Sequence, residues 1–526
     1  MKTIKKIIFA AVIFTTTVGL AQEQNTALTN TNTSQDYLRP SLVFTTLNFN
    51  NVKSMDLEKI VLPAKFDMLS IDKNTASLTI SAEIDEDGLT VYDKDIYKAE
   101  LDAYVKGISG QIIAGALSIE NGAMNFEKLY ARVANSLTEN QRNTLKNLTG
   151  GLDDAANAAL LNPALENIYL MVVSPTSITT ETTVNEEGKA FTVLSAKAYE
   201  TALYRVHVGK YLDADGNRLD IDAKRNQFND LYLDNLQNVS TSEFPVEQIY
   251  SKILSGASGA NMNKLSQAAV IGSLLHADTV VEEFRPRAKI EKGLKIALGT
   301  KEGLKVDDRY FSYQKQKDPK TRKTILVRKG VDRVKKVGNN NVDLIANPEA
   351  KAERTSLYPD SGKLTRTGYL SIQAPEWGLG VSAFYRMNPG VRLDYRLGSL
   401  IGVTNTFFYI EGEFIEFDYA PSEFSSYSIP VAGYIMHAGF QKTFNVSRMF
   451  AFAPYAQYEV YGKVKPIDGD EEIEVEFENP TIAAGLRAIV KYGTSLQFMP
   501  EVTYVIGDST IYDKSLYIGF AIRYNL

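Results

Sequence analysis

The last twelve residues of this 526-residue chain constrain its fold more than any other stretch. Ser515 to Leu526 reads SLYIGFAIRYNL, and Leu516, Ile518, Phe520, Ile522, Tyr524 and Leu526 fall on one face of an extended chain. Tyr517, Gly519, Ala521, Arg523 and Asn525 fall on the other. Alternation this strict is the mark of a β-strand. One face is large and apolar, while the other is small or polar with a charge in its middle. Two settings suit such a strand: the core of a sandwich, or the wall of a membrane barrel with the apolar face on lipid and Arg523 in the lumen.

The same pattern repeats upstream. Strands are expected at residues 379–387, 391–397, 401–414, 429–442, 449–462, 474–490, 494–506 and 515–526. That count of eight is the smallest that membrane barrels use. The first connection, Asn388-Pro389-Gly390, is short, but the later odd-numbered ones, 415–428, 463–473 and 507–514, are longer, whereas the even-numbered 398–400, 445–448 and 491–493 are tight. Long outer loops alternating with short periplasmic turns are a property of outer-membrane barrels. The faces agree: Val391, Leu393, Tyr395 and Leu397 oppose Arg392, Asp394 and Arg396, and Leu496, Phe498, Val502 and Tyr504 oppose Gln497, Glu501 and Thr503. The inward set therefore holds Arg386, Arg392, Arg396, Arg487 and Arg523 with Asp394, Glu459 and Glu501. An eight-stranded interior is just wide enough for side chains, so these charges are expected to pair into a plug, and conduction is not expected. A new charge at Phe498, on the lipid face, is expected to cost more than neutralising Glu501.

At the other end, Lys2, Lys5 and Lys6 precede an apolar run from Ile7 and then Gly19-Leu20-Ala21. This reads as a secretory signal peptide over 1–21, the alternative being an uncleaved anchor whose apolar core is shorter than the ~20 residues a spanning helix needs. No later apolar run is long enough for such a helix, so membrane entry would require a closed barrel. Residues 22–36, rich in Asn, Thr, Gln and Ser, are expected to be a disordered leader.

From 37 to 277 the pattern is that of an α+β globular region. SLVFTTLNF and TASLTISAEI read as strands; Ile96, Leu101, Tyr104, Val105, Ile108 and Ile112 recur at helical spacing, as do Phe126, Leu129, Tyr130 and Val133. Asp153 to Leu165 is Ala-rich, NIYLMVV returns to strand, and NKLSQAAVIGSLLHA reads as helix. Asp213, Asp215 and Asn217 suggest a calcium loop, but Gly216 is fourth and Lys224 twelfth where an EF-hand wants glycine sixth and glutamate twelfth; a turn after a strand explains them. Residues 278–338 hold short strands between glycine and charged turns, the pattern of a small β-barrel-like module. It is locally basic through Arg322, Lys323, Arg328, Lys329, Arg333, Lys335 and Lys336. A solvated hairpin face accounts for that charge, and an anionic partner such as cell-wall polymer or lipid headgroup is the alternative. Residues 339–376 read as a polar linker, and 377–526 as the barrel.

From Trp377 to Leu526 the chain resembles the small outer-membrane barrels of the OmpA-like type. The resemblance rests on the final strand, where Gly519 precedes Ile522, Tyr524 and Leu526 on one face, like the terminal signal read by the barrel-insertion machinery; Leu526 stands where that signal usually has an aromatic residue. It implies outer-membrane lipid as the surroundings; an even strand count, which returns the chain to the side where it started, leads us to expect the N-terminal region in the periplasm. OmpA-like proteins carry a peptidoglycan-binding domain after the barrel, whereas here the non-barrel part comes first, and none of its residues match a peptidoglycan-binding motif.

The expected architecture is thus multidomain: an α+β region, a small all-β module, and a C-terminal eight-stranded antiparallel transmembrane β-barrel. The chain has no cysteine and only three histidines, His207, His276 and His437, far apart in sequence. Thiolate chemistry is excluded, and neither a metal nor any other cofactor is expected. A net charge of −6 with both signs dispersed does not suit nucleic-acid binding. Ser70 to Lys73 and Ser312 to Lys315 match S-x-x-K without its companion motifs, and G-x-S-x-G, H-E-x-x-H and phosphate-binding glycine loops are absent. A non-enzymatic barrel anchoring a periplasmic module, with a periplasmic protein or the cell wall as partner, is the expected function. A tethered periplasmic enzyme and a surface-loop adhesin are the alternatives.

Overall fold

The computed structural model describes residues 37–50, 59–69, 79–84, 90–124, 167–184, 190–206, 246–341, 352–376, 378–419, 429–466, 481–506 and 515–525, apart from isolated positions inside those spans. The expected signal peptide and leader, the helical pattern from Phe126 to Val133, the Ala-rich stretch, the Asp213 motif and Leu526 lie outside the described residues. The chain divides into two compact units, one of Asp36–Pro286 with Lys301–Gly303, the other of Arg287–Thr300 with Leu304–Leu526.

The first unit is a mixed sheet between helices. Its strands are β1 (Ser41–Thr45), β2 (Asp67–Met68), β3 (Ile168–Val184), β4 (Ala190–Val206), β5 (Val246–Leu254) and β6 (Ala257–Gly259), in the order β5-β4-β3-β1-β2 with β6 also on β4. β1 runs parallel to β2 and β3, and β3, β4 and β5 are antiparallel. The α-helices among the described residues are α1 (Lys94–Ala116) and α2 (Met262–Val280). Asn261 caps α2 by accepting from the Lys264 amide at 3.0 Å, satisfying one of its free N–H groups. Leu265, Ala269, Val270, Leu274 and Ala277 then form one stripe, buried against Tyr169, Met171, Tyr199 and Leu203 of the sheet.

In the second unit the strands are β7 (Arg287–Lys289), β8 (Lys295–Ile296), β9 (Arg309–Lys317), β10 (Thr324–Lys336), β11 (Thr355–Gly362) and β12 (Leu370–Gln373), followed by the barrel. The module's sheet has the order β7-β12-β9-β10-β11-β8, and a bridge between Glu291 and Lys295 brings its two end strands together. Residues 339–376, expected to be a linker, supply two of its strands. β11 reads TSLYPDSG and buries Thr355 and Ser361 beside Leu357, so hydroxyls sit where a hydropathy pattern looks for apolar residues.

The barrel strands are β13 (Leu379–Tyr385), β14 (Pro389–Arg396), β15 (Thr406–Tyr419), β16 (Ile429–Lys442), β17 (Phe450–Pro466), β18 (Ile482–Tyr492), β19 (Leu496–Ile506) and β20 (Leu516–Asn525). Each pairs antiparallel with its sequence neighbour, β13 pairs with β20, and eight strands close the ring. The connection expected to be tight at 398–400 is longer, because a short helix α3 (Gly398–Ile401) precedes β15, which starts at Thr406. β18 is described from Ile482, and residues 474–480, where the expected strand begins, lie outside the described residues.

Candidate functional site

Alternation turns the barrel's polar side chains inward, and the middle of the lumen is filled by charge. Glu501 on β19 is its hub. Its Oε1 accepts from Arg386 Nη2 at 2.9 Å and Nε at 3.1 Å, and its Oε2 from Arg487 Nε at 2.8 Å and Arg392 Nη2 at 3.2 Å. Glu411 on β15 accepts from Arg392 Nε at 2.8 Å and Arg386 Nη2 at 3.1 Å, and Glu413 lies 3.5 Å from Arg386 Nη1. Three arginines thus meet three glutamates, all buried. Gln441 Oε1 takes Arg487 Nη1 at 2.5 Å, and the Arg487 guanidinium lies 3.7 Å and 4.7 Å from the ring centres of Tyr455 and Tyr409. Stacking on an aromatic face and bidentate pairing suit a planar guanidinium and would not suit lysine.

Glycines make room for these groups. A Cβ on Gly439 would come within 2.5 Å of the Tyr409 ring, one on Gly485 within 2.5 Å of the Tyr455 ring, and one on Gly380 within 2.6 Å of Arg523 Nε. The interior is packed, with large side chains from one strand lying over small positions on the next.

Toward the turn end the charges are shared with the module. Arg523 pairs with Asp394 at 3.3 Å, and Arg523 and Arg396 both lie over the Phe407 ring. Arg396 Nη1 reaches Asp307, in the loop before β9, at 3.3 Å, and the Asn405 amide donates to the same carboxylate at 2.7 Å. The Tyr358 hydroxyl on β11 lies 2.6 Å from Asp307 Oδ1 and 2.9 Å from Asn405 Oδ1. Asp307 and Asn405 have φ of +71° and +54°, a region that short Asx side chains tolerate better than most. Gly398 closes against this knot, where a Cβ would stand 2.2 Å from Asp307 Oδ2.

Two more contacts complete the junction. Lys491 Nζ on β18 donates to Asp360 Oδ1 at 2.7 Å, and Arg448, in the turn between β16 and β17, donates to Asp332 Oδ1 at 2.6 Å and Thr365 Oγ1 at 2.8 Å. The same guanidinium reaches the Ser361 carbonyl at 2.9 Å. The barrel groups of this junction sit at or near the turn end, where α3 and the 443–449 connection also lie, so the module caps that mouth.

Behind the junction, Arg333 is held by Glu376 at 2.5 and 2.6 Å and by Asp360 at 2.8 Å. Burial alone would raise the Glu376 carboxyl, but Arg333 and Arg309 beside it bring it down to about 2. Asp308, with only the Lys305 amide and Gln373 as donors, is instead pushed by burial up to about 6. In the first unit Glu200 bonds Tyr92, and burial raises its carboxyl to about 7.

Of the residues expected in the lumen, Arg386, Arg392, Arg487 and Glu501 form one cluster, and Asp394 with Arg523 a neighbouring pair. Arg396 leaves them for Asp307 of the module. Glu459 stands apart toward the loop end, accepting from the Thr481 amide at 3.2 Å. Glu411, Glu413, Gln441 and Lys491 were not foreseen. The run FFYIEGEF is apolar on both faces at its start, so its phase is ambiguous until Glu411 and Glu413 are read as an alternating pair. Of the terminal residues, Ile522 faces outward; Gly519 faces inward, where a Cβ would meet the Tyr385 carbonyl at 2.7 Å, so packing alone accounts for this glycine.

No family model matches the chain, and no curated protein matches it. Among solved structures, the N-terminal β-barrel domain of Pseudomonas aeruginosa OprF matches with a TM-score of 0.19 and 9% identity, over 28% of this chain and 95% of that one. A de novo designed transmembrane β-barrel matches with a TM-score of 0.15 and 12% identity, over 28% and 92%. The KdgM porin matches with a TM-score of 0.13 and 10% identity, over 28% and 98%. Likenesses at these scores carry no argument; the closed barrel stands on its own strand register.

Proposed function

We propose that this is an outer-membrane β-barrel protein of the OmpA-like type, non-enzymatic, with its lumen plugged by charged side chains. The barrel anchors the docked module and the N-terminal region in the periplasm, where they hold a periplasmic protein or the cell wall. The barrel's outer surface carries this reading. Every strand exposes apolar residues outward, among them Leu393, Phe414, Phe440, Phe452, Leu486, Phe498 and Ile518. Among its described outward side chains only Glu416 and Lys442 are charged. Glu416 pairs with Ala432 on β16, ten residues from Lys442. At ~3.3 Å per residue and a tilt of ~40°, those ten residues span roughly 25 Å along the barrel axis. That matches the apolar band, ≈ 25 Å tall, of a membrane barrel. An apolar surface of this extent in water would be unfavourable.

Fractionation tests the proposal. The full chain should partition with outer membrane, resist high-salt and alkaline washing, and need detergent for release. Release of the intact chain by either wash would overturn it.

A further inference from the structure

We infer that the junction between module and barrel binds the phosphate of anionic lipid headgroups in the leaflet at the barrel's turn end. This rests on the membrane reading above and goes beyond it. Residues 287–376 contain twenty-one Lys and Arg against eleven Asp and Glu, in a chain whose net charge is −6. Four of those carboxylates are already engaged: Asp307 with Arg396, Asp332 with Arg448, Asp360 with Lys491, and Glu376 with Arg333. The surplus of positive charge is therefore on the outside.

Part of it is held beside the bilayer. Arg448 donates to Ser361 and Thr365, Lys363 lies between those two residues, and its amide donates to the Lys329 carbonyl at 2.7 Å. Arg366 follows Thr365 directly, and both Lys363 and Arg366 are exposed. On the barrel side of the same contact, Val446 and Met449 flank Arg448 and are 71% and 54% exposed. Phe450, the first outward aromatic residue of β17, is two residues from Arg448, about 7 Å of extended chain. A leaflet's headgroup zone is of similar depth, roughly 5–8 Å. The ion pairs that dock the module thus hold Lys329, Lys363 and Arg366 at headgroup depth, above apolar side chains that reach the hydrocarbon. A phosphate at that level meets cations, and its acyl chains meet Val446 and Met449. A soluble anionic polymer would use the charge and leave the apolar residues in water.

The test is native mass spectrometry of the detergent-solubilised full chain titrated with phosphatidylglycerol, phosphatidylcholine or heparin. Cations near an anionic surface contribute about fivefold each, so the triple variant Lys329→Gln, Lys363→Gln, Arg366→Gln should lose phosphatidylglycerol affinity by about a hundredfold. A control triple at the β9–β10 hairpin tip, Lys317→Gln, Lys320→Gln, Arg322→Gln, should keep it. Equal affinity for phosphatidylcholine, equal loss in both triples, or a preference for heparin over lipid would overturn the inference. Insertion of all variants into liposomes, checked separately, distinguishes failure of this inference from failure of the membrane reading.

Discussion

Replacing Glu501 with Gln is the sharpest perturbation of the lumen. The amide keeps the Oε1 acceptor for Arg386 but turns an NH2 toward Arg392 Nη2 and Arg487 Nε, which now donate to Oε2 at 3.2 and 2.8 Å. Two charge-assisted hydrogen bonds are lost, each ~1.5–3 kcal/mol, and the buried cluster acquires a net positive charge. Removing one partner of a buried ion pair costs ~3–5 kcal/mol. We therefore expect a loss of about 4 kcal/mol, roughly a thousandfold in the folding equilibrium. Phe498→Asp, on the lipid face, should cost about 2 kcal/mol, because acidic residues at mid-depth cost less than the ~2–4 kcal/mol of basic ones. The structure thus reverses the ranking expected from the sequence, which treated Glu501 as one lumen charge among several. Urea titration of the chain refolded into lipid bilayers, followed by far-UV circular dichroism, gives both numbers. The pair Glu501→Gln with Arg487→Gln, which restores neutrality, should recover part of the loss. A loss below ~1 kcal/mol for Glu501→Gln would refute the hub.

Arg448→Met should loosen the module without unfolding the barrel, because it leaves Asp332 buried with only Ser312 and Thr365 beside it; amide exchange of β10 and β11 should speed up while barrel strands stay protected. Gly398→Ala should have a similar effect through its clash with Asp307, and an unchanged exchange pattern would show that α3 yields without cost. Asp308 binds its proton more tightly folded than unfolded, so its contribution is full below pH ~4 and is lost as pH rises through about 6, roughly 3 kcal/mol in all. Asp308→Asn should then stabilise the module at pH 7 and flatten its melting temperature between pH 4 and 6. Glu376 has the opposite sign: its pairing contributes above pH ~4.5 and is lost as pH falls toward 2, so acid below pH 4 should still release the module in that variant.

The barrel was legible because its wall imposes a period of two on every strand, and a one-residue slip would turn Arg392, Arg487 or Arg523 to the outside. The hub was legible only in part. Glu411 and Glu413 follow an apolar run with no phase of its own, and their role comes from β15 lying beside β14, which no local pattern states. The module's last two strands were hidden because Thr355, Ser361 and Ser371 are buried hydroxyls in short strands. Its docking was hidden for another reason. Asp307, Asp332 and Asp360 look like ordinary charged turn and strand residues, and only the fold brings Arg396, Arg448 and Lys491 to them.

Sidedness tests the account most directly. The chain has no native cysteine, so single cysteines report without background. Ser515, exposed at the loop-side start of β20, and Lys363, exposed on the module, lie on opposite sides of the proposed bilayer. With an impermeant thiol reagent on intact cells, Ser515→Cys should label, and Lys363→Cys should label only after the outer membrane is opened. Labelling of Lys363→Cys on intact cells, with Ser515→Cys protected, would place the module outside and contradict the account.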